Sequence, residues 1–314
     1  MALDYDAAYI YEPSRFLVWR YTKQARATWR LVRRSRHQNI VVMLPPFPLL
    51  VVVLASTRGN ISVIADLHTG FFLNPKWGWA RSLSLRMLRG HTAIVTNARL
   101  AEICESSGVR AVVLHDILQR PIAPSESVKP AGGGARPTLL CPLGYANDEP
   151  IAELIDAFRR LPEFRFVLTG HAPDWVRNAV SSNVEFSGYL STDEYWRLVD
   201  ASDGVLALTK RDLTMQRAGY EALLCAKPQV TSDFDVLRDF YNDAAVYTRT
   251  DTESIVAAVR DMVRNAAQLA DCSAAVLNLR RAEQQHALEV LMDRQSPATV
   301  DGTVPLNQRG GRGA

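Results

Sequence analysis

Residues 209–233 read TKRDLTMQRAGYEALLCAKPQVTSD, and this stretch indicates how the whole chain is organised. It predicts a polar loop, a short helix whose first turn carries Glu221, a break at Lys227 and Pro228, and a strand that ends at Asp233. In an open α/β sheet, ligands bind beyond the carboxyl ends of strands and against helix N-termini, because free backbone N–H groups there favour anions. The stretch therefore predicts a site for a ligand that carries phosphate.

Strands and helices alternate along the rest of the chain. In the first half, the apolar runs NIVVM, ISVIA, TAIVTN and AVVLHD predict strands at residues 39–43, 61–65, 92–97 and 111–116. In the second half, TLLCPLG, FRFVLTG, NVEFSGYL and GVLALT predict further strands before the QVTSD strand. Strands and helices that alternate at this spacing form parallel sheets with right-handed crossovers. The predicted fold class is α/β, with two Rossmann-like domains whose parallel sheets face each other across a cleft.

The boundaries of these domains follow from composition. Residues 119–137 are rich in Pro, Gly and Ser and predict a flexible linker between a first domain at 1–118 and a second domain at 138–270. A helical pattern over 271–295 follows the second domain. Residues 296–314 contain too few apolar side chains to bury and are predicted to be disordered.

Composition and charge exclude several classes of protein. The net charge of +3 gives no indication of a nucleic-acid partner. The four cysteines lie far apart without a CxxC pair, which argues against a zinc site or disulfides and fits a reducing compartment, so we expect a cytoplasmic protein. The apolar run at 40–55 is short and contains three prolines, so a strand and a helix are expected there rather than a membrane span.

The first predicted helix, residues 14–36, combines aromatic side chains with many Arg and Lys residues. A basic amphipathic helix of this kind can lie on an anionic membrane surface, which would make the protein a peripheral one at the inner face of the membrane. A charged helix can equally present a solvated face. Both interpretations remain open from the sequence.

Several segments together resemble the nucleotide-sugar glycosyltransferases of the GT-B fold, in particular bacterial members of the family 4-like, group 1 type. They are DLHTG, GYANDEP, VLTG, EFSGYL and GYEALLCAKP, in that order, and the resemblance covers most of residues 39–262. It implies that the second domain binds a nucleotide-sugar donor and that the first domain faces a glycan or lipid-linked acceptor. It also implies a metal-independent reaction, so no metal ion or other cofactor is expected.

The resemblance implies specific donor contacts. In this family a Glu on such a helix holds the ribose hydroxyls of the nucleotide, and the matching residue is Glu221; its carboxylate can accept two hydrogen bonds from a vicinal diol. The alternative is that Glu221 only interacts with the helix dipole. Lys210, Arg211 and Arg217 are the nearby cations, and Arg211 with Thr214 is our first choice for the diphosphate. The remaining predicted donor contacts lie at strand ends: Gly144, Gly170, Gly188, Tyr189, Leu190 and Thr209.

The segment ADLHTG looks like the acceptor-side loop of the same family. His68 is predicted as a general base toward the acceptor hydroxyl or as a hydrogen-bonding partner of the donor sugar, and Asp66 could hold its tautomer or act as the base itself. Gly70 is assigned to the same loop. A lone histidine can also be purely structural.

This chain departs from the family pattern in three places. Leu213 occupies the position where retaining members carry an acid, the GYAND loop lacks the usual Arg and Lys, and the first domain shows no convincing first strand before the basic helix. The predicted function is transfer of a sugar from a nucleotide sugar to a hydroxyl group. The alternatives are a degenerate glycosyltransferase that serves as a binding or scaffold subunit, and a GT-B-fold sugar-nucleotide epimerase.

Overall fold

The computed structural model describes residues 7–58, 61–116, 120 and 136–292, and these contain two parallel β-sheets with helices around them. The predicted α/β fold class is confirmed. Most of the predicted linker, and all of the predicted tail at 296–314, lie outside the described residues. Within the described part, no helix combines the length and apolar character needed to cross a membrane.

The first sheet has four strands in the order β1-β2-β3-β4, all parallel. Its strands are β1 (Asn39–Leu44), β2 (Ser62–Leu67), β3 (Thr92–Val95) and β4 (Arg110–Val113), and its helices are α1 (Leu17–Arg34), α2 (Phe47–Ser56), α3 (Thr69–Leu73), α4 (Pro75–Gly78), α5 (Arg81–Met87) and α6 (Ala98–Ser106). Because residues 7–38 contain α1 but no strand, β1 has no described neighbour on its outer side. This agrees with the expected lack of a first strand.

The second sheet has six parallel strands in the order β10-β9-β8-β5-β6-β7. The strands are β5 (Thr138–Cys141), β6 (Arg165–Thr169), β7 (Val184–Gly188), β8 (Gly204–Ala207), β9 (Gln229–Ser232) and β10 (Val246–Thr248). The helices are α7 (Ile151–Arg159), α8 (Asp174–Arg177), α9 (Thr192–Ala201), α10 (Arg217–Leu224), α11 (Asp235–Tyr241), a 3-10 turn (Asn242–Ala244), α12 (Thr252–Arg264) and α13 (Ala266–Met292).

Local sequence explains where the main elements begin. The cores of the two sheets are separate clusters of buried aliphatic and aromatic side chains. In the first, Val42 and Leu44 of β1 pack with Leu50 and Val53 of α2. In the second, α9 begins with a capping box, in which the Ser191 side chain accepts from the backbone of the third helical residue and the carboxylate there accepts from the backbone of Ser191.

Three details differ from the sequence-based expectation. Helix α10 begins at Arg217, so Glu221 lies in its second turn, and its placement in the first turn was wrong. The end helix begins at Ala266 instead of 271. Strand β2 runs to Leu67, so Asp66 lies inside the strand, while His68 and Gly70 follow it. In each case the hydrogen-bonded element extends by several residues beyond the apolar pattern that marked it.

Helix α13 connects the two sheets. The Gln284 side-chain amide donates to the carbonyl oxygens of His115 and Asp116, at 3.4 and 3.0 Å, just after β4. Farther along the helix, Val290 and Leu291 lie beside the residues that begin the first sheet's strands. The helix therefore holds the first sheet against the second.

Candidate active site

The order of the second sheet marks one edge as the ligand site. From β5 the chain adds strands on one side through β6 and β7, and it then crosses to add β8, β9 and β10 on the other side. The strand order thus reverses between β5 and β8. In open α/β sheets ligands bind at such a switch point, outside the carboxyl ends of the strands. The loops after β5 and β8, which include the predicted segments GYANDEP and TKRDLTMQ, meet at this point, where the Lys210 N–H donates to the Asp148 carbonyl oxygen.

Glu221 lies on this edge in a fixed orientation. Its side chain is only about one-tenth exposed, at 10%. The Tyr195 hydroxyl of α9 donates to one carboxylate oxygen, and the Arg217 guanidinium donates to the other at 2.9 Å. Burial, followed by the charge of Glu221, raises the pKa of Tyr195, so the phenol remains a donor. The carboxylate is therefore oriented by two donors, of which only Arg217 is largely exposed, at 80%.

This arrangement bears on the two interpretations of Glu221. Because the residue lies in the second turn, the helix dipole acts on it only weakly, since that effect is confined to the first turn. The long side chain of Arg217 faces solvent, so a ribose can compete with its guanidinium for the carboxylate oxygen without breaking a packed contact. The geometry favours ligand binding, while the ribose contact itself stays a prediction.

The loop after β8 supplies the predicted diphosphate groups. Lys210 is paired with Glu153 at 2.8 Å, whereas the exposed Arg211 has no carboxylate partner among the described residues. The Thr214 hydroxyl is buried and has no hydrogen-bond partner in the described protein. Buried polar groups without a partner are rare in folded proteins. Of the two predicted diphosphate contacts, Arg211 is thus accessible to a ligand, whereas the Thr214 hydroxyl would need a local rearrangement to reach one.

Thr209 differs from these neighbours. It is fully buried, its backbone N–H donates to the Ser232 hydroxyl at 2.8 Å, and that hydroxyl donates back to the Thr209 carbonyl oxygen at 2.7 Å. Its own hydroxyl accepts from the Arg211 N–H at 3.1 Å. These contacts explain Thr209 as the residue that shapes the loop, and its predicted donor contact remains untested.

In the loop after β5, a side chain of the protein occupies the backbone donors. The Glu149 carboxylate accepts from the Gly144 N–H at 2.9 Å and from the Ala146 N–H at 2.7 Å. The sequence predicted that Gly144 would let the backbone approach the diphosphate. In the structure this amide already binds an internal anion, so a phosphate would have to displace Glu149 to use it.

The loops after β6 and β7 lie on the other side of β5 from the β8 loop, and they carry the remaining predicted donor contacts. Gly170 has φ +81°, and a Cβ there would lie 2.3 Å from the Leu143 carbonyl oxygen, so close packing of two loops requires this glycine. Gly188 also has a positive φ, at +70°, but open space around it. Tyr189 is 80% exposed and its ring is nearly parallel to that of His171, with centroids 5.8 Å apart. The half-buried Leu190 follows.

The predicted acceptor-side residues lie together at the end of β2. His68 Nε2 is 3.2 Å from Asp66 Oδ2, and about half of the His68 side chain is exposed. The hydrogen bond to Asp66 raises the pKa of His68, while partial burial acts in the opposite direction. Gly70 lies within α3 with room for a side chain. The Asp66–His68 pair therefore has the geometry of an oriented base, and Gly70 shows no comparable feature.

Asp116 lies where the two predicted sites approach each other. Its negative charge contributes to the raised pKa of His68 in the first domain and to the raised pKa of Arg217 in the second, after their main partners Asp66 and Glu221. Asp116 therefore lies within electrostatic range of both the acceptor-side pair and Arg217 of the Glu221 network.

Asn97 and Leu213 form a contact across the cleft that sequence reasoning missed. The buried Asn97 caps α6 by accepting from the Leu100 N–H, and its amide donates to the Leu213 carbonyl oxygen at 3.2 Å. Leu213 has φ +62°, and its side chain packs against the core of the first sheet. The position that carries an acid in retaining relatives is here a bridge between the domains. The Asn in TNARL was the one sequence signal, as a helix cap.

Comparison with solved structures identifies the class of fold. HepE from Anabaena, in complex with UDP and glucose, matches with a TM-score of 0.67 and 14% identity over 90% of this chain and 84% of that chain. Sucrose-phosphate synthase from Thermosynechococcus elongatus matches with a TM-score of 0.71 and 14% identity over 91% and 80%. A glycosyltransferase from Rickettsia africae matches with a TM-score of 0.69 and 10% identity over 91% and 83%. The protein has the GT-B fold of glycosyltransferases.

The sequence itself gives a narrower assignment. Residues 149–294 match the family described as "Glycosyl transferase-like", and this region contains Tyr195, Arg217 and Glu221. The comparison with curated protein sequences gives no match. This match covers the second sheet and agrees with the GT-B fold that the solved structures show.

Proposed function

We propose that the protein transfers a sugar from a nucleotide-activated donor to a hydroxyl group of a glycan or a lipid-linked acceptor. The observation that carries this proposal is the Glu221 network at the switch point of the second sheet. It provides an oriented carboxylate, and the loop that leads into the same helix carries Arg211, without a carboxylate partner among the described residues, and Thr214, whose hydroxyl has no hydrogen-bond partner there. A carboxylate can bind a diol, and a guanidinium with a hydroxyl can bind a diphosphate, so these residue types support a nucleoside diphosphate as the ligand.

The donor would lie across the carboxyl edge of the second sheet. The ribose of the donor would take the position next to Glu221 that the Arg217 guanidinium now occupies. Arg217 would then move toward the diphosphate. Negative charge collects on the diphosphate as the glycosidic bond breaks, and fixed cations in a cleft stabilise that charge most strongly. We propose that Arg211 and Arg217 supply the positive charge that stabilises the diphosphate, without a metal ion. The Thr214 hydroxyl would donate a hydrogen bond to the same group.

The base would bind farther along the same edge. Gly188, Tyr189 and Leu190 form the turn after β7, and the exposed Tyr189 ring offers a flat surface for stacking. Gly144 and Gly170 lie in the neighbouring loops, which follow β5 and β6. The structure of HepE holds UDP and glucose, which supports a uridine nucleotide as the first donor to test.

The acceptor hydroxyl would be activated by His68. Asp66 engages Nε2 and raises the pKa of the imidazole, so the ring is a stronger proton acceptor at Nδ1 once it is neutral. Its partner fixes the tautomer, as in other oriented histidine bases. His68 would then take the proton of the acceptor hydroxyl during sugar transfer. We place this reaction in the cytoplasm, in the synthesis of a polysaccharide or glycolipid, with the acceptor presented at the membrane.

A second candidate function is donor binding without turnover, in a subunit that supports an active partner. Two observations favour it: Leu213 replaces an acid and is used to bridge the domains, and Glu149 occupies the loop amides after β5. Both remove groups that would otherwise act on the diphosphate or the sugar.

A panel of UDP, GDP and dTDP sugars distinguishes the two functions. Thermal stabilisation of the protein by one donor, followed by release of the free nucleoside diphosphate in the presence of candidate acceptors, is the expected result. Stabilisation without any release of nucleotide would favour the binding subunit. No stabilisation of well-folded protein by any donor would refute both.

A further inference from the structure

Charge is strongly segregated along this chain. Residues 13–101 contain 14 Arg and Lys residues and a single acidic residue, Asp66, for a net charge of +13, although the whole chain carries only +3. The first sheet and its helices are thus highly basic, and the remaining residues are acidic. A domain of this charge attracts anionic partners over several ångströms beyond its surface.

Helix α1 displays a continuous row of this charge. Lys23, Arg26, Arg30 and Arg34 are all exposed, and their spacing of three to four residues puts them on one face of the helix. We call these four residues the basic strip. The opposite face contains the buried Thr28 and Val32, which pack toward the first sheet. Among the described residues, only Lys23 of the strip pairs with a carboxylate, that of Glu12 at 3.1 Å.

Large apolar side chains lie exposed where the helix begins. Phe16 is 79% exposed and Val18 is 81% exposed, and they are flanked by two tyrosines, a leucine and a tryptophan that are also exposed: Tyr9, Tyr11, Leu17 and Trp19. Six such residues lie within eleven positions, a density of exposed apolar side chains that a soluble protein rarely carries without a binding role. We call it the apolar start of α1.

We propose that the basic strip and the apolar start of α1 bind the surface of an anionic lipid bilayer. Arg and Lys would lie among the headgroup phosphates, while Phe16, Leu17 and Val18 would enter the boundary of the acyl chains. Aromatic side chains with a polar edge favour the same depth. A nucleic acid would explain the cations and the stacking rings, but it offers no apolar phase for the aliphatic Leu17 and Val18.

The fold places this surface at the open edge of the first domain. Helix α1 ends at Arg34, shortly before β1 begins, and packs along α2, which runs opposite to β1. The first turn of α1 therefore lies at the edge where β1 and β2 end, the edge that also carries Asp66 and His68. Trp79, 69% exposed, lies there too, with its ring 5.5 Å from that of Phe47 at the start of α2. Bilayer contact here would bring a lipid-linked hydroxyl toward the cleft.

The test is flotation of the full chain with vesicles of phosphatidylcholine, with and without about 30% phosphatidylglycerol. We expect binding only to the anionic vesicles, weakening as salt increases. Changing Lys23, Arg26, Arg30 and Arg34 to Gln should lower the partition coefficient by about fivefold per residue, or several hundredfold in total. The double change Phe16→Ser and Val18→Ser should lower it by about tenfold and remove the salt-resistant part.

A matched control removes the same charge elsewhere. Arg160, Arg165, Arg249 and Arg264 are exposed residues of the second domain, and their change to Gln lowers the net charge equally. This control should bind vesicles nearly as the wild type does. All variants change exposed side chains, so their thermal midpoints should match that of the wild type.

Two results would overturn the proposal. One is equal loss of vesicle binding in the control and in the strip variant, which would show a nonspecific charge effect. The other is tighter binding of the wild type to double-stranded DNA than to anionic vesicles. The vesicle assay contains no nucleotide sugar, so its outcome does not depend on the proposed transferase reaction.

Discussion

His115 provides a pH-dependent test of the junction between the domains. It follows β4, its ring packs on Phe240 of the second domain with centroids 4.4 Å apart, and its Nδ1 is buried without a hydrogen-bond partner. Burial, and then the positive charge of Arg280, lowers the pKa of His115 from 6.5 to about 4. The folded protein therefore disfavours the charged imidazole at this position.

The size and sign of the effect follow from this difference in pKa. Well above pH 6.5 the imidazole is neutral in both the folded and the unfolded state and contributes no pH dependence. As the pH falls toward 4, the unfolded chain takes up a proton that the folded chain resists, so the free energy of unfolding decreases. The difference between the pKa values of the unfolded and folded states corresponds to about 3 kcal/mol in the free energy of unfolding. We reduce this to roughly 2 kcal/mol because the His115 side chain is partly exposed.

The assay compares denaturant unfolding of the wild type and of His115→Asn across this pH range. The variant loses the ring contact with Phe240 at every pH, so its lower stability alone is not informative. The informative quantity is how the difference in free energy of unfolding between the two proteins changes with pH. We expect the wild type to lose about 2 kcal/mol more than the variant on acidification. His68→Asn is the control for the pH window: the pKa of His68 is raised, so its stabilising contribution is lost as the pH rises above 6.5, and it should add no difference between pH 6.5 and 4. Parallel curves for wild type and His115→Asn would refute the reasoning.

Two further predictions concern the donor site. Tyr195→Phe removes a hydroxyl that orients the Glu221 carboxylate and should weaken donor binding by about tenfold, as measured by calorimetry, with the fold intact; unchanged affinity would contradict this role. Gly170→Ala places a methyl group 2.3 Å from the Leu143 carbonyl oxygen and should lower the free energy of unfolding by more than about 2 kcal/mol. Gly188→Ala, with a similar φ but open space, should cost only about 1 kcal/mol, and equal losses would show that the contact with Leu143 is unimportant.

Much of the fold could be predicted from sequence because parallel strands are nearly continuous apolar runs. The strands from NIVVM to QVTSD were located in this way. Helix α11 and strand β10 were not predicted, because β10 is a three-residue edge strand, VYT, with little apolar pattern of its own. The extra turn at the start of α10 was also missed, since Arg217 and Gly219 are not typical of a buried helix.

The site could be predicted only as a set of loops. Asp66 and His68 are close in sequence, so their pairing was accessible from spacing alone. The partners of Glu221 were not, because Tyr195 lies on another helix and reaches it only through the packing of α9 against the sheet. The same holds for the bridge from Asn97 to Leu213, which joins residues far apart in the chain. Contacts of this kind depend on how the two sheets meet.

The most direct test of the central claim is the affinity for a nucleoside diphosphate and for its 2′-deoxy analogue, measured on the wild type and on Glu221→Ala. UDP is the first ligand to use, since HepE holds it. The ribose contact predicts that the wild type prefers the ribonucleotide by about ten- to a hundredfold, the value of a hydrogen bond to a charged group. That preference should vanish in Glu221→Ala and persist in Glu253→Ala, an exposed control on α12. An undiminished preference in Glu221→Ala would contradict the account.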